Sequence, residues 1–129
     1  MNAAYVDTSC LVAIAFGESG GTHAARRLHG VEEIVSSNLL EAELRAAFSR
    51  EEVPFDAALL SGITWILPDR PLTDEIALVL ETGYLRGADV WHIACALFVA
   101  GNPRDLGFLT LDDRQAHVAE RLGFVVART

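Results

Sequence analysis

"AYVDTSC", residues 4–10, decides how this chain is read. Ala4, Tyr5 and Val6 have the character of a buried strand, and the chain turns apolar again in "CLVAIAF", yet Asp7, Thr8 and Ser9 stand between the two. Aspartate is depleted from strands and is costly to bury unless it is paired, hydrogen-bonded or bound to a metal. In open α/β sheets, sites form outside the carboxyl ends of the strands, which is where an acid directly following an apolar strand would stand.

The rest of the chain has the alternation such a sheet needs. "AAYV" (3–6), "EIVS" (33–36), "ITWIL" (63–67), "GFLT" (107–110) and "FVVA" (124–127) are too short for helices and too continuously apolar for half-exposed strands. They read as buried parallel strands. Between them, residues 40–52 place Leu40, Leu44, Ala47 and Phe48 on one helical stripe, with Glu41 four before Arg45. A helix is expected over 54–62, starting at Pro54 and stopping at Gly62. Another runs from Thr73, its expected N-cap, to Gly83. "VWHIACALFVAG" (90–101) is apolar nearly all round and reads as a buried central helix, and residues 113–122 form a more polar last one. Strand, helix, strand, repeated, implies a parallel sheet with helices on both faces. "GESGGTH" (17–23) has no phosphate-cradle spacing and reads as a helix-to-helix loop.

Composition narrows the function. A chain of 129 residues, 51% hydrophobic, is expected to be one compact domain spanning 1–129. No apolar run approaches a membrane span, and "MNAAYVD" lacks a signal-peptide pattern, so a cytoplasmic protein is expected. Cys10 and Cys95 lie in apolar runs and read as buried free thiols. The net charge of −8 argues against a basic surface for long nucleic acids. All ten basic residues are arginine, so mechanisms needing a catalytic or phosphate-binding lysine are excluded.

The acids remain. Asp7 follows the first strand, Asp112 lies just beyond the fourth in "LTLDDRQ", Glu43 sits near the start of the helix after the second, and Asp89 precedes the buried helix. Each has a simpler reading: Asp89 as an N-cap, Asp112 or Asp113 as the cap of the last helix, Glu43 as an exposed helix acid. Thr8 and Ser9 could cap the first helix or supply a hydroxyl beside Asp7. Bringing carboxylates within about 5 Å of one another costs roughly 3 kcal/mol per pair at an effective dielectric near 20. A divalent cation offsets that repulsion, and hard oxygen ligands favour Mg²⁺ or Mn²⁺ over zinc. His23, His29, His92 and His117 show no zinc-ligand spacing and read as surface or packing residues.

"YVDTS", Glu43-Leu44, "DVWHIACAL" led by Asp89, and "TLD" (110–112) occur in an order that resembles the PIN-domain nucleases, and most of all the VapC-type toxin ribonucleases of toxin–antitoxin pairs. The resemblance implies a three-layer α/β/α fold with a five-stranded parallel sheet in the order 3-2-1-4-5. It implies Asp7, Glu43, Asp89 and Asp112 as catalytic, metal-holding acids, with Ser9, Thr8 or Asp113 beside them; the T-x-D spacing favours Asp112 over Asp113. It also implies Mg²⁺ or Mn²⁺, RNA hydrolysis leaving 5′-phosphate and 3′-hydroxyl ends, a cognate antitoxin and a homodimer. Arg45, Arg86 and Arg114, close in sequence to the acids, are candidates to hold flanking phosphates.

Competing readings fit less well. A haloacid-dehalogenase-type phosphatase needs D-x-D-x-T, whereas Ser9 stands two residues after Asp7, and it needs a lysine. A response-regulator receiver also needs a lysine. A catalytically inactive PIN-like module that binds RNA or protein is the alternative from a different class.

Overall fold

The structure is a computed structural model that describes residues 2–127. Its order is β1 (Ala3–Val6), α1 (Thr8–Phe16), α2 (Gly21–His29), β2 (Glu33–Ser37), α3 (Leu39–Arg50), β3 (Ile63–Ile66), α4 (Thr73–Thr82), α5 (Gly87–Val99), β4 (Gly107–Leu109) and α6 (Asp113–Arg121). The strands form a four-stranded parallel sheet in the order β3-β2-β1-β4.

β1 is central, and its alternating side chains serve two cores. Ala4 and Val6 pack with Leu11 of α1, Leu40 and Leu44 of α3, and Leu109. Tyr5 faces the other way, among Ile93 of α5, Val79 of α4 and Val118 of α6. Its ring stacks on Phe108 with centroids 5.3 Å apart and planes within 3°. Tyr5 is level with Val35 in β2 and Phe108 in β4, so these strands end side by side. Asp7 and Thr110 thereby follow β1 and β4 at the same edge.

Three expectations are corrected. Among the described residues the fifth strand is absent: "FVVA" is reduced to one parallel bridge between Val125 and Gly107, with Phe108 N–H donating to the Val125 carbonyl at 2.9 Å. The ladder has nothing longer to pair with, because β4 has three residues and Gly123, at φ 105°, turns the chain immediately before. The helix at 54–62 is only a 3₁₀ turn, Ala57–Leu60. Asp56 caps it by accepting from Ala58 N–H, which leaves too few residues before Ser61 and Gly62 for an α-helix. Thr73 is the first residue of α4, and its N-cap is Leu72, without a side-chain bond.

The helix-to-helix loop expected over 17–23 is shorter, residues 17–20, and Gly21 opens α2 for a steric reason. A Cβ there would lie 2.6 Å from the Ala13 carbonyl oxygen, so only glycine lets α2 close onto α1.

Candidate active site

Asp7 is placed by the β1–α1 junction. With φ −83° and ψ 154° it is the N-cap of α1, and its Oδ2 accepts from the Ser9 N–H at 3.2 Å. Capping and burial are therefore compatible: the carboxylate is 4% exposed and has donors. A second donor is the Thr110 hydroxyl, 3.1 Å from Oδ2. The Thr110 proton is shared with Gln115 Oε1, 2.8 Å away, and Gln115 is wholly buried. Leu111 N–H donates to the Ser9 hydroxyl at 3.0 Å, and Asp112 N–H to the Thr110 hydroxyl at 3.1 Å. These bonds tie the segment after β4 to the start of α1 and bring Asp112 to the Asp7 edge.

Asp112 is the N-cap of α6, its Oδ1 accepting from Gln115 N–H at 2.9 Å. Asp113 is the first helical residue and is exposed. Asp89 was expected as a possible N-cap; instead α5 begins at Gly87 after Arg86, and Asp89 falls in the first turn. There the helix N-terminus favours a negative charge, but the surroundings oppose it. Partial burial, then the charges of Asp7 and Asp112, raise the Asp89 carboxyl above its ordinary range, with Glu43 adding to the same effect and His92 partly offsetting it. Asp89 thus feels the other three acids at the same sheet edge. The Asp89 side chain accepts no hydrogen bond among the described residues.

Glu43 comes from α3. Its Oε1 accepts from the Thr8 hydroxyl at 2.7 Å and lies 2.8 Å from His92 Nε2. Burial acts to raise its pKa, but the hydrogen bonds from His92 and Thr8 outweigh it and hold the carboxyl below its ordinary value.

His92 is the residue that sequence reasoning undervalued. It is fully buried, as a packing residue would be, but it is also the polar centre of the site. Nδ1 lies 2.6 Å from the Tyr5 hydroxyl; Nε2 faces Glu43, with Thr8 Oγ1 at 3.3 Å and Asp7 Oδ1 at 3.6 Å. Burial pushes the Tyr5 hydroxyl far above its usual pKa, so it keeps its proton. Tyr5 accepts from Ser37 N–H at 3.2 Å, which directs its own proton to Nδ1. Nε2 then carries the ring hydrogen and donates to Glu43. The signal was present: His92 stands three residues after Asp89, on the same helix face. Thr110 and Gln115 were also missed.

A family model described as PIN domain matches residues 4–121, nearly the whole chain. The chain belongs to the PIN-domain family. No curated protein and no solved structure matches it. PIN domains are generally nucleases and typically use divalent metals. In this PIN domain no three His, Cys, Asp or Glu side chains among the described residues form a ready-made coordination group. Asp7, Glu43 and Asp112 are each turned onto protein donors. The donor set nevertheless suits a hard divalent cation, because it is all carboxylate oxygen and the Asp89 charge is opposed by the other three.

The remaining sequence candidates sort differently. Arg45 donates to Glu41 at 2.7 Å and lies 4.2 Å above the Phe55 ring, which occupies it elsewhere. Arg86 and Arg114 are exposed. Cys10 and Cys95 are buried and unbridged, and burial pushes both thiols up to about 12, so neither is a nucleophile. No helix among the described residues is long and apolar enough to cross a membrane.

Proposed function

We propose that this PIN domain is a Mg²⁺- or Mn²⁺-dependent endoribonuclease and the toxin of a VapC-type toxin–antitoxin pair. The observation that carries the catalytic part is the meeting of Asp7 and Glu43 at His92 Nε2, 3.6 and 2.8 Å away, with Asp112 tied to the same edge through Thr110; beside them partial burial and then the charges of Asp7 and Asp112 raise the Asp89 carboxyl. Such frustration is typical of functional carboxylate clusters. The toxin assignment rests on the resemblance of the ordered set Asp7, Glu43, Asp89 and Asp112, and with it come a cognate antitoxin and a homodimer as expected partners.

Asp7, Asp89, Asp112 and Glu43 would hold the cation, which when bound supplies charge stabilisation at the phosphate and an activated water. The protein's own part is positional. Ser9 N–H and Thr110 hold Asp7 at the end of β1. Thr8 and His92 hold Glu43 in one orientation, and Tyr5 fixes the tautomer that lets His92 do so. The N-terminal turn of α5 carries Asp89 where the helix N-terminus favours a carboxylate against its neighbours. No lysine, nucleophilic serine or organic cofactor is needed.

The internal hydrogen bonds of Asp7, Glu43 and Asp112 favour a second reading, a non-catalytic binding module. Cleavage of RNA by wild type and Asp7→Asn, with Mn²⁺ and with a chelator, separates the two. Equal cleavage by the variant, or activity that survives the chelator, would sink the metal-nuclease reading. For the toxin assignment, induced wild-type protein should arrest growth of its host and Asp89→Asn should not.

A further inference from the structure

Beside the acidic edge, the end of α4, the loop into α5 and one face of α6 border an open groove of about 700 Å³. Tyr84 stands in it 71% exposed. The backbone beneath is set by Gly83, where a Cβ would lie 2.9 Å from Val118 Cγ2, so the loop presses directly onto α6. Arg114, His117 and Arg121 also line the groove, at spacings that make one stripe along α6. From Arg114 to Arg121 the stripe covers roughly 10 Å of helix.

Three arginines elsewhere are held by neighbouring carboxylates. Arg45, Arg50 and Arg70 pair with Glu41, Glu51 and Glu75. Arg114 and Arg121 form no ion pair among the described residues; Arg121 donates to the Thr82 carbonyl oxygen at 3.0 Å. In a protein of net charge −8, two guanidinium groups without carboxylate partners among the described residues, beside an exposed aromatic ring, make a local site for phosphates and an unstacked base. Asp113, the residue after Asp112, lines the same groove, so it leads away from the carboxylate edge.

We propose that this groove holds single-stranded RNA flanking the scissile bond, with a base stacked on Tyr84 and phosphates held by Arg114 and Arg121. The proposal rests on the ribonuclease reading of the acidic edge. A single strand is favoured over a duplex, whose bases are already stacked, and over a protein, since the groove joins two guanidinium groups to an exposed ring.

Fluorescence anisotropy with a labelled single-stranded RNA of mixed sequence, in chelator so that nothing is cleaved, tests it. Tyr84→Ala and Arg114→Ala should each weaken binding roughly fivefold or more, as loss of a stacked base or a phosphate contact does. Tyr84→Phe should bind like wild type. Each arginine removed should flatten the slope of log K against log salt by about 0.7. Unlabelled duplex RNA should compete more weakly than single strand. Unchanged affinity and slope in the variants, equal competition by duplex, or no RNA binding by wild type would each overturn the groove. A change in oligomeric mass in Tyr84→Ala with RNA binding intact would also overturn it, marking an interface between copies. Manganese-dependent cleavage whose KM the groove variants leave unchanged would sink the groove while the ribonuclease reading stands. Binding through the groove without any cleavage would sink that reading alone.

Discussion

His92 Nε2 lies 2.8 Å from Glu43 Oε1, joining α5 to α3 across the end of β1. Because His92 Nδ1 also accepts from the Tyr5 hydroxyl, its removal strands polar groups on both sides. His92→Ala should cost roughly 2–4 kcal/mol in urea unfolding, from the cavity and the unpaired buried donors and acceptors together. His92→Phe, which fills the volume but bonds neither partner, should recover only part of that. A loss below about 0.5 kcal/mol in the alanine variant, the range of an ordinary surface change, would show that the hydrogen bonds contribute little.

Asp89 should trade stability for function. Its folded pKa is raised, so the ionised form is penalised in the native state, and the protein loses stability as pH rises through that value. Asp89→Asn removes the penalty. In chelator at neutral pH its Tm should exceed that of wild type by roughly 2–4 °C, while cleavage is lost. The gain should shrink as pH falls towards the ordinary aspartate range, where wild-type Asp89 becomes protonated as well. A Tm at or below wild type at neutral pH would show that the neighbouring charges do not strain the site.

A cation that relieves this repulsion should stabilise the fold by mass action. Mn²⁺ at about 100 times its dissociation constant should add about 2.7 kcal/mol to wild type, and little to Asp7→Asn. Differential scanning calorimetry across a Mn²⁺ series measures both, and equal shifts in the two proteins would place the cation elsewhere.

Asp112 and Asp113 can be separated because only Asp112 both caps α6 and acts on Asp89. Asp112→Asn keeps an N-cap acceptor, so its stability should stay within about 0.5 kcal/mol of wild type, yet its cleavage should fall much further than that of Asp113→Asn. The reverse order in a side-by-side cleavage assay would move the fourth acid to Asp113.

Gly21→Ala should destabilise by about 1–3 kcal/mol in urea, since its Cβ would meet the Ala13 carbonyl oxygen at 2.6 Å and α2 must move off α1. A neutral outcome would mean the α1–α2 packing adjusts freely.

Local chemistry alone determined a good deal here. Apolar runs of strand length alternating with helical stripes gave a parallel α/β sheet, and the bounds of β1 and the ends of α4 and α6 follow from signals within a turn or two of each residue. Asp7 at the end of β1 was readable for the same reason, as were Glu43 in α3 and Asp112 before α6, whereas Asp89 lies inside the first turn of α5 rather than ahead of it. Where local signals compete, the reading failed: Asp56 capped a 3₁₀ turn in place of a helix, and one bridge at Val125 replaced a fifth strand. Only the tertiary structure decided what surrounds the acids. Tyr5 meets His92 across 87 residues of chain, and Thr110 meets Asp7 across 103, contacts set by the register of β1 against its neighbours and by the docking of α5. No sequence period encodes such distances. Parallel strands need long crossovers, so the partners at their carboxyl edge are far apart in sequence and become neighbours only when the sheet closes.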